Sequence, residues 1–118
     1  MRAGPTPGAT AMTHMLCRNR VKDFRRWRRV FVSHASAHRA AGLRLAGFWR
    51  DTQRPNDVFF LFEVRDMRRA RAFIRSAGAA EAAARSGVID GRYQFIRDAG
   101  MAPYLERARR RGRAGLGG

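Results

Sequence analysis

Two histidines four residues apart, His34 and His38, are the side chains of this 118-residue chain best suited to chemistry. That spacing sets both imidazoles on one face of a helix, where a pair can grip a metal ion or a single ring can take a proton. A metal site needs a third ligand, and Cys17, His14 and Glu63 are the only candidates by topology. No second motif supports such a set, so neither a metal nor any other cofactor is expected. Near Asp23 or Glu63, His34 is the candidate general base for an acidic C–H or a phenol. Arg39, one residue past His38, is the candidate partner for the anionic or enolate oxygen that results. A hydrogen-bonded structural histidine and a solvated arginine are the plainer alternatives.

Trp27, Phe31, His38, Trp49, Phe60, Phe62 and Tyr93 are candidate walls of a cavity for a flat, apolar ligand. Aromatics at these helical and strand periods equally suit a plain core. Cys17 has no partner that would lower its pKa, so it reads as buried and inert. There is no Gly-rich phosphate loop, nucleophile-elbow serine or paired-carboxylate constellation.

The elements that must position these groups follow from periodicity. Phe24, Trp27, Phe31, Ala35, His34 and His38 recur at spacings of three and four, which predicts one helix from Asp23 to Gly42. Asp23 can cap its start and Gly42 can close its end. Residues 1–11 are rich in Gly, Pro, Thr and Ala and read as a flexible arm. A first strand is expected over Met12–Arg18, with Asn19–Lys22 as the crossover. Strand two is Leu43–Arg50, with Leu43, Leu45, Gly47 and Trp49 on one face and Arg44, Ala46, Phe48 and Arg50 on the other. The Asp51–Asp57 turn leads to strand three, Val58–Val64. Asp66 caps a second helix from Met67 to about Ser76, which continues to Ser86 after a break near Gly78. Gly87 ends it, and Val88–Ile96 is strand four, bulged at Gly91. Residues 98–118 read as a basic, partly disordered tail with a partly helical segment over 103–111.

An internal echo supports this order. Val21-Lys22-Asp23-Phe24-Arg25-Arg26 matches Val64-Arg65-Asp66-Met67-Arg68-Arg69, and each copy runs on to a glycine and an apolar strand start, Gly42-Leu43 and Gly87-Val88. Two such halves make β-α-β-β-α-β, the ferredoxin-like α+β fold: a four-stranded antiparallel sheet with two helices on one face, spanning residues 12–97. In strand three, Phe59 and Leu61 point one way and Val58, Phe60, Phe62 and Val64 the other. Helices cover only one of these sides, so the other calls for a second copy of the chain, a face-to-face homodimer.

Length admits one domain, and 45% hydrophobic residues suffice for its core. The lone cysteine and the lack of a secretory h-region or a membrane-length apolar run suggest a cytoplasmic protein with no membrane partner. Translation could start at Met1 or at Met12. The net charge of +16 is spread over the domain, with 19 basic against 7 acidic groups in residues 12–97. Such a balance favours polyanions, though arginine in an Ala- and Gly-rich chain also reflects composition bias. Strand three has the aromatics of an RNA-recognition strand but neither its glycine nor its basic lead, which leaves only nonspecific nucleic-acid contact, through Arg25, Arg26, Arg29, Arg68, Arg69 and the tail.

The run RVKDFRRWRRVFVSH, then HRAAG, the hairpin RPNDVFFLFEV, the helix DMRRARAFIRS and SGVIDG resemble the dimeric α+β barrel superfamily. More narrowly, they resemble its small bacterial antibiotic-biosynthesis-monooxygenase-like or cyclase-like members. The resemblance implies a ferredoxin-like protomer, a barrel-forming dimer and a pocket between helices and sheet for a small apolar organic molecule. It specifies fold better than activity. The function it implies is a cofactor-independent enzyme of the monooxygenase-like or cyclase-like sort. The alternatives are a non-catalytic dimeric ligand-binding or interaction protein, and a basic nucleic-acid-binding module. Asn19 stands where many relatives have a histidine, and no histidine follows His38 to ligate haem as the haem-degrading branch does.

Overall fold

The computed structural model describes residues 12–100 and 106–108. The expected arm over 1–11 and most of the tail, including all but 106–108 of the expected segment 103–111, lie outside the described residues. Internal contacts divide the chain into Thr13–Ile96 and a second unit of Met1–Met12 with Arg97–Gly118. In the second unit, residues 106–108 are helical and the Gly100 N–H donates to Asp98 Oδ1 at 2.9 Å.

Strand β1 is Thr13–Val21, followed by helices α1 (Phe24–Ser33) and α2 (Ala35–Ala40). Strands β2 (Leu43–Arg50) and β3 (Asp57–Val64) form a hairpin. Helices α3 (Met67–Ile74) and α4 (Ala77–Ser86) then lead to β4 (Val88–Arg97). The sheet order is β2-β3-β1-β4, and β3 runs antiparallel to both of its neighbours. The helices lie on one face of this sheet, and the arrangement is the ferredoxin-like α+β fold.

The echo in the sequence is also an echo in space. Asp23 and Asp66 adopt nearly the same extended backbone and cap their helices, accepting from Arg25 N and Arg69 N. Gly42 and Gly87 close the two helical segments at φ +74° and +77°. Each glycine carbonyl then accepts from the other half's junction: Arg65 N–H donates to Gly42 O at 2.8 Å, and Lys22 N–H to Gly87 O at 2.9 Å. The two halves clasp one another through these reciprocal bonds.

The core lies between sheet and helices. Val58, Phe60, Phe62 and Val64 of β3 are buried there with Met15, Cys17 and Val21 of β1. Trp27 is the largest fully buried side chain, its ring 4.8 Å from Phe31 and 5.5 Å from Phe60. Truncating such a residue to alanine typically costs ~3–5 kcal/mol.

Four expectations need correction. The helix expected over Asp23–Gly42 is two helices, broken at His34. Ser33 Oγ donates to Val30 O at 2.6 Å and His34 Nδ1 lies 3.0 Å from the same oxygen, so side chains claim the carbonyl that the next turn needs. The His34 N–H turns to Phe31 O instead, at 3.1 Å. The second break falls at Ser76, not near Gly78. The Ser76 hydroxyl accepts from Ala79 N at 3.1 Å, a better helix start than glycine provides. Strand β1 runs on through the expected crossover because Val21 is buried and its N–H donates to Asn56 O at 2.9 Å. Finally, a bulge between Leu45 and Gly47 reverses the expected faces of β2 beyond it. Phe48 stands opposite Phe60 on the helix side, and Trp49 stands opposite Phe59 on the other.

Candidate functional site

A cavity of about 290 Å³ opens between the sheet and helices α1, α3 and α4. Its size is at the low end of the range usual for small-molecule sites, ~300–1,000 Å³. Of the residues expected to form a site, it gathers Trp27, Phe31, His34, His38, Phe60, Phe62 and Tyr93. Two are not brought there. The β2 bulge turns Trp49 onto the opposite face of the sheet, where it is 54% exposed. Arg39 lines a separate cavity beside β2, so it does not accompany His34 as an anion partner.

The α4 segment explains why there is a cavity at all. Ala79, Ala82, Ala83 and Ser86 recur at spacings of three and four, and together they form the helix face that lines the space. Small side chains stand where larger ones would fill the core. That signal was present in AGAAEAAARS and marked the room rather than the chemistry. Phe73 and Ile74 of α3 add to the apolar wall, and Arg92 of β4 lies at the rim, paired with Asp90 at 3.6 Å.

His34 is held in a defined state by the helix break. The Val30 carbonyl can only accept, so the tautomer that makes this 3.0 Å contact a hydrogen bond carries its proton on Nδ1. In that tautomer Nε2 is the nitrogen free to accept, and no protein group among the described residues pairs with it. The plainer role expected for His34, a hydrogen-bonded structural histidine, and the role of base therefore call on opposite nitrogens of one ring. His38, 6.5 Å from His34 between ring centroids, packs on Phe31, Phe62 and Phe73. Burial, and secondly the neighbouring His34, lower its pKa to about 4. His38 is thus a neutral wall at physiological pH.

Cys17 is buried in the same wall, and burial pushes its thiol up to about 12. Among the described residues no three His, Cys, Asp or Glu side chains come together as a metal set. Asn19, which the sequence marks as standing in place of a histidine, is a polar group of the same wall. Oriented to satisfy its neighbours, its amide oxygen accepts from Trp27 Nε1 at 3.2 Å and its NH2 donates to Arg18 O at 3.0 Å. Gly91 faces it across the cavity wall, and a Cβ there would lie 3.0 Å from the Asn19 amide. The arrangement can enclose an apolar molecule, dock one polar edge of it and accept a proton at His34.

No protein-family model matches the sequence, and no curated protein does. Solved structures do match the fold. A candidate antibiotic biosynthesis monooxygenase from Bordetella bronchiseptica superposes with a TM-score of 0.61 at 12% identity, over 75% of this chain and 98% of that one. Another from Caulobacter crescentus CB15 gives 0.58 at 13% identity, over 74% and 89%. A NIPSNAP family protein of unknown function from Agrobacterium tumefaciens gives 0.60 at 11% identity, over 81% and 96%. The chain has the ferredoxin-like α+β fold of antibiotic-biosynthesis-monooxygenase-like proteins, as the resemblance in its sequence implies, and of NIPSNAP-like proteins as well. Among the described residues no helix is long and apolar enough to cross a membrane.

Proposed function

We propose that the cavity takes a small, flat organic molecule and that His34 removes a proton from it. The reading is of the monooxygenase-like or cyclase-like sort, whose shared opening step is loss of a proton from an acidic C–H or phenol. One observation carries it: His34 lines an aromatic cavity with Nδ1 3.0 Å from the Val30 carbonyl, a contact made by the tautomer whose basic nitrogen is Nε2. The step itself draws only on residues of the chain: Nε2 takes the proton, and the imidazolium keeps its Nδ1 contact with the Val30 carbonyl. The walls around it are mostly apolar, and Asn19 offers a neutral polar contact.

A probe for that step is 2-tetralone, a flat bicyclic ketone with an acidic benzylic C–H next to its carbonyl. In D2O the protein is expected to speed hydrogen–deuterium exchange at that carbon by ~10²-fold or more over buffer, a gain of the size positioned bases supply. His34→Ala is expected to abolish the gain while leaving the circular dichroism spectrum unchanged. Unchanged exchange in a folded His34→Ala protein defeats the proposal.

A homodimer belongs to the same reading. On the sheet face away from the helices, Leu16 and Gly47 flank Leu61, and Arg18 and Trp49 flank Phe59, in adjacent rows across three strands. An apolar patch of this kind supports a second copy as its cover. Sedimentation at micromolar concentration is expected to give twice the chain mass, and Leu61→Asp to return the single mass. A wild-type chain that sediments alone defeats the dimer.

A further inference from the structure

A second cavity, of about 650 Å³, lies where α2 meets the edge strand β2. It is separate from the site around His34, though Phe31, His38 and Phe62 form a wall common to both. Its chemistry is of two kinds. Leu43 and Phe62 give an apolar floor, while Val32 and Leu45 stand beside it 59% and 45% exposed. Three arginines surround this apolar ground: Arg39, Arg44 and Arg65. Glu63 neutralises Arg44 at 3.1 Å, but among the described residues Arg39 and Arg65 meet no carboxylate, and no carboxylate lines the cavity.

We infer that this cavity binds an amphiphilic monoanion, a carboxylate with an aliphatic or aryl body. The head group sits against Arg39 and Arg65, and the body covers Val32 and Leu45. Each half of the site argues against a simpler occupant. An inorganic anion leaves Val32 and Leu45 in water, and a neutral hydrocarbon makes no use of the two exposed cations beside them, whereas a carboxylate head can take charge-assisted hydrogen bonds from both. A second copy of the chain adding a strand to β2 is disfavoured by the bulge between Leu45 and Gly47, which interrupts the regular edge beside the cavity. The inference stands independently of proton transfer at His34, because Arg39 and Arg65 line only the second cavity.

Sodium octanoate, well below its micellar concentration, is the probe, titrated calorimetrically into the full chain. The expected result is saturable binding at one site per chain, weakened about tenfold or more in Arg39→Gln/Arg65→Gln, as loss of charge-assisted hydrogen bonds requires. Octanol and acetate, each lacking half of the recognised chemistry, are expected to bind far more weakly. Ala82→Phe, which fills the first cavity, is expected to leave octanoate binding unchanged. Equal affinity in the folded double arginine variant overturns the inference, and so does loss of binding in a folded Ala82→Phe protein. Failure of octanoate to bind the wild type overturns it too, and if Leu45→Asp also lowers the sedimenting mass, another copy of the chain is the true cover. None of these results bears on exchange of 2-tetralone, so this inference and the His34 reading fail separately.

Discussion

Lowering the pH from neutrality to about 4 is expected to remove about 1.5–2 kcal/mol of folding stability through His38 alone. The folded pKa of this ring is about 4 against an ordinary 6.5, chiefly because burial penalises the imidazolium and secondly because His34 is close. A depressed folded value means that the unfolded chain takes up the proton first. The contribution is therefore complete above pH ~6.5, shrinks as pH falls, and is lost near pH ~4, below which both states are protonated. At ~1.36 kcal/mol per pH unit the gap sets a ceiling of about 3 kcal/mol. His38 borders two cavities and is only partly buried, so solvent screening reduces that ceiling by about half. Urea unfolding of the wild type and of His38→Phe at a series of pH values measures it. Phenylalanine keeps the ring packing on Phe31, Phe62 and Phe73 and removes the titration, and carboxylates common to both proteins cancel in the difference. Equal pH dependence in the two proteins, or an imidazole NMR titration of His38 at its ordinary value, refutes the reasoning.

Cys17 is expected to react with a disulfide reagent at pH 8 about a thousandfold more slowly in the folded protein than in urea, since a thiol held near 12 rather than 9 has that much less thiolate. A folded-state rate close to the unfolded one would mean that the cavity wall opens freely to solvent. The two closing glycines should differ. Both need the left-handed conformation, so Gly87→Ala is expected to lower stability by ~1–2 kcal/mol. Gly42→Ala is expected to cost more, because its Cβ also meets Asp66 N at 3.2 Å, whereas at Gly87 the nearest atom is 3.5 Å away. Thermal melts of the two variants rank them, and the reverse order contradicts the geometry.

The candidate site was legible in part. Trp27, Phe31, His34, His38, Phe60, Phe62 and Tyr93 could be gathered from periodicity and the expected fold, because helical spacing of three and four and strand spacing of two assign faces directly. Trp49 was misplaced because that rule holds only while the strand is regular, and a single extra residue at the bulge reverses every face beyond it. Arg39 follows His38 by one position, but consecutive helical residues point about 100° apart, and that rotation puts it in the neighbouring cavity. Asn19 looked like part of a crossover and became a cavity residue once β1 ran on to Val21.

The order of elements, the two Asp-capped helix starts, the two glycine closures and the two-sided apolar strand are legible in the sequence, because each depends on residues within a few positions of one another. That His38 is neutral at physiological pH, and that one stretch of chain borders two cavities of different chemistry, follow only from the fold. Those properties depend on rings brought together from three helices and a strand, and on how much water the packing leaves. None of these is a local quantity, and each is set by the distances that folding imposes.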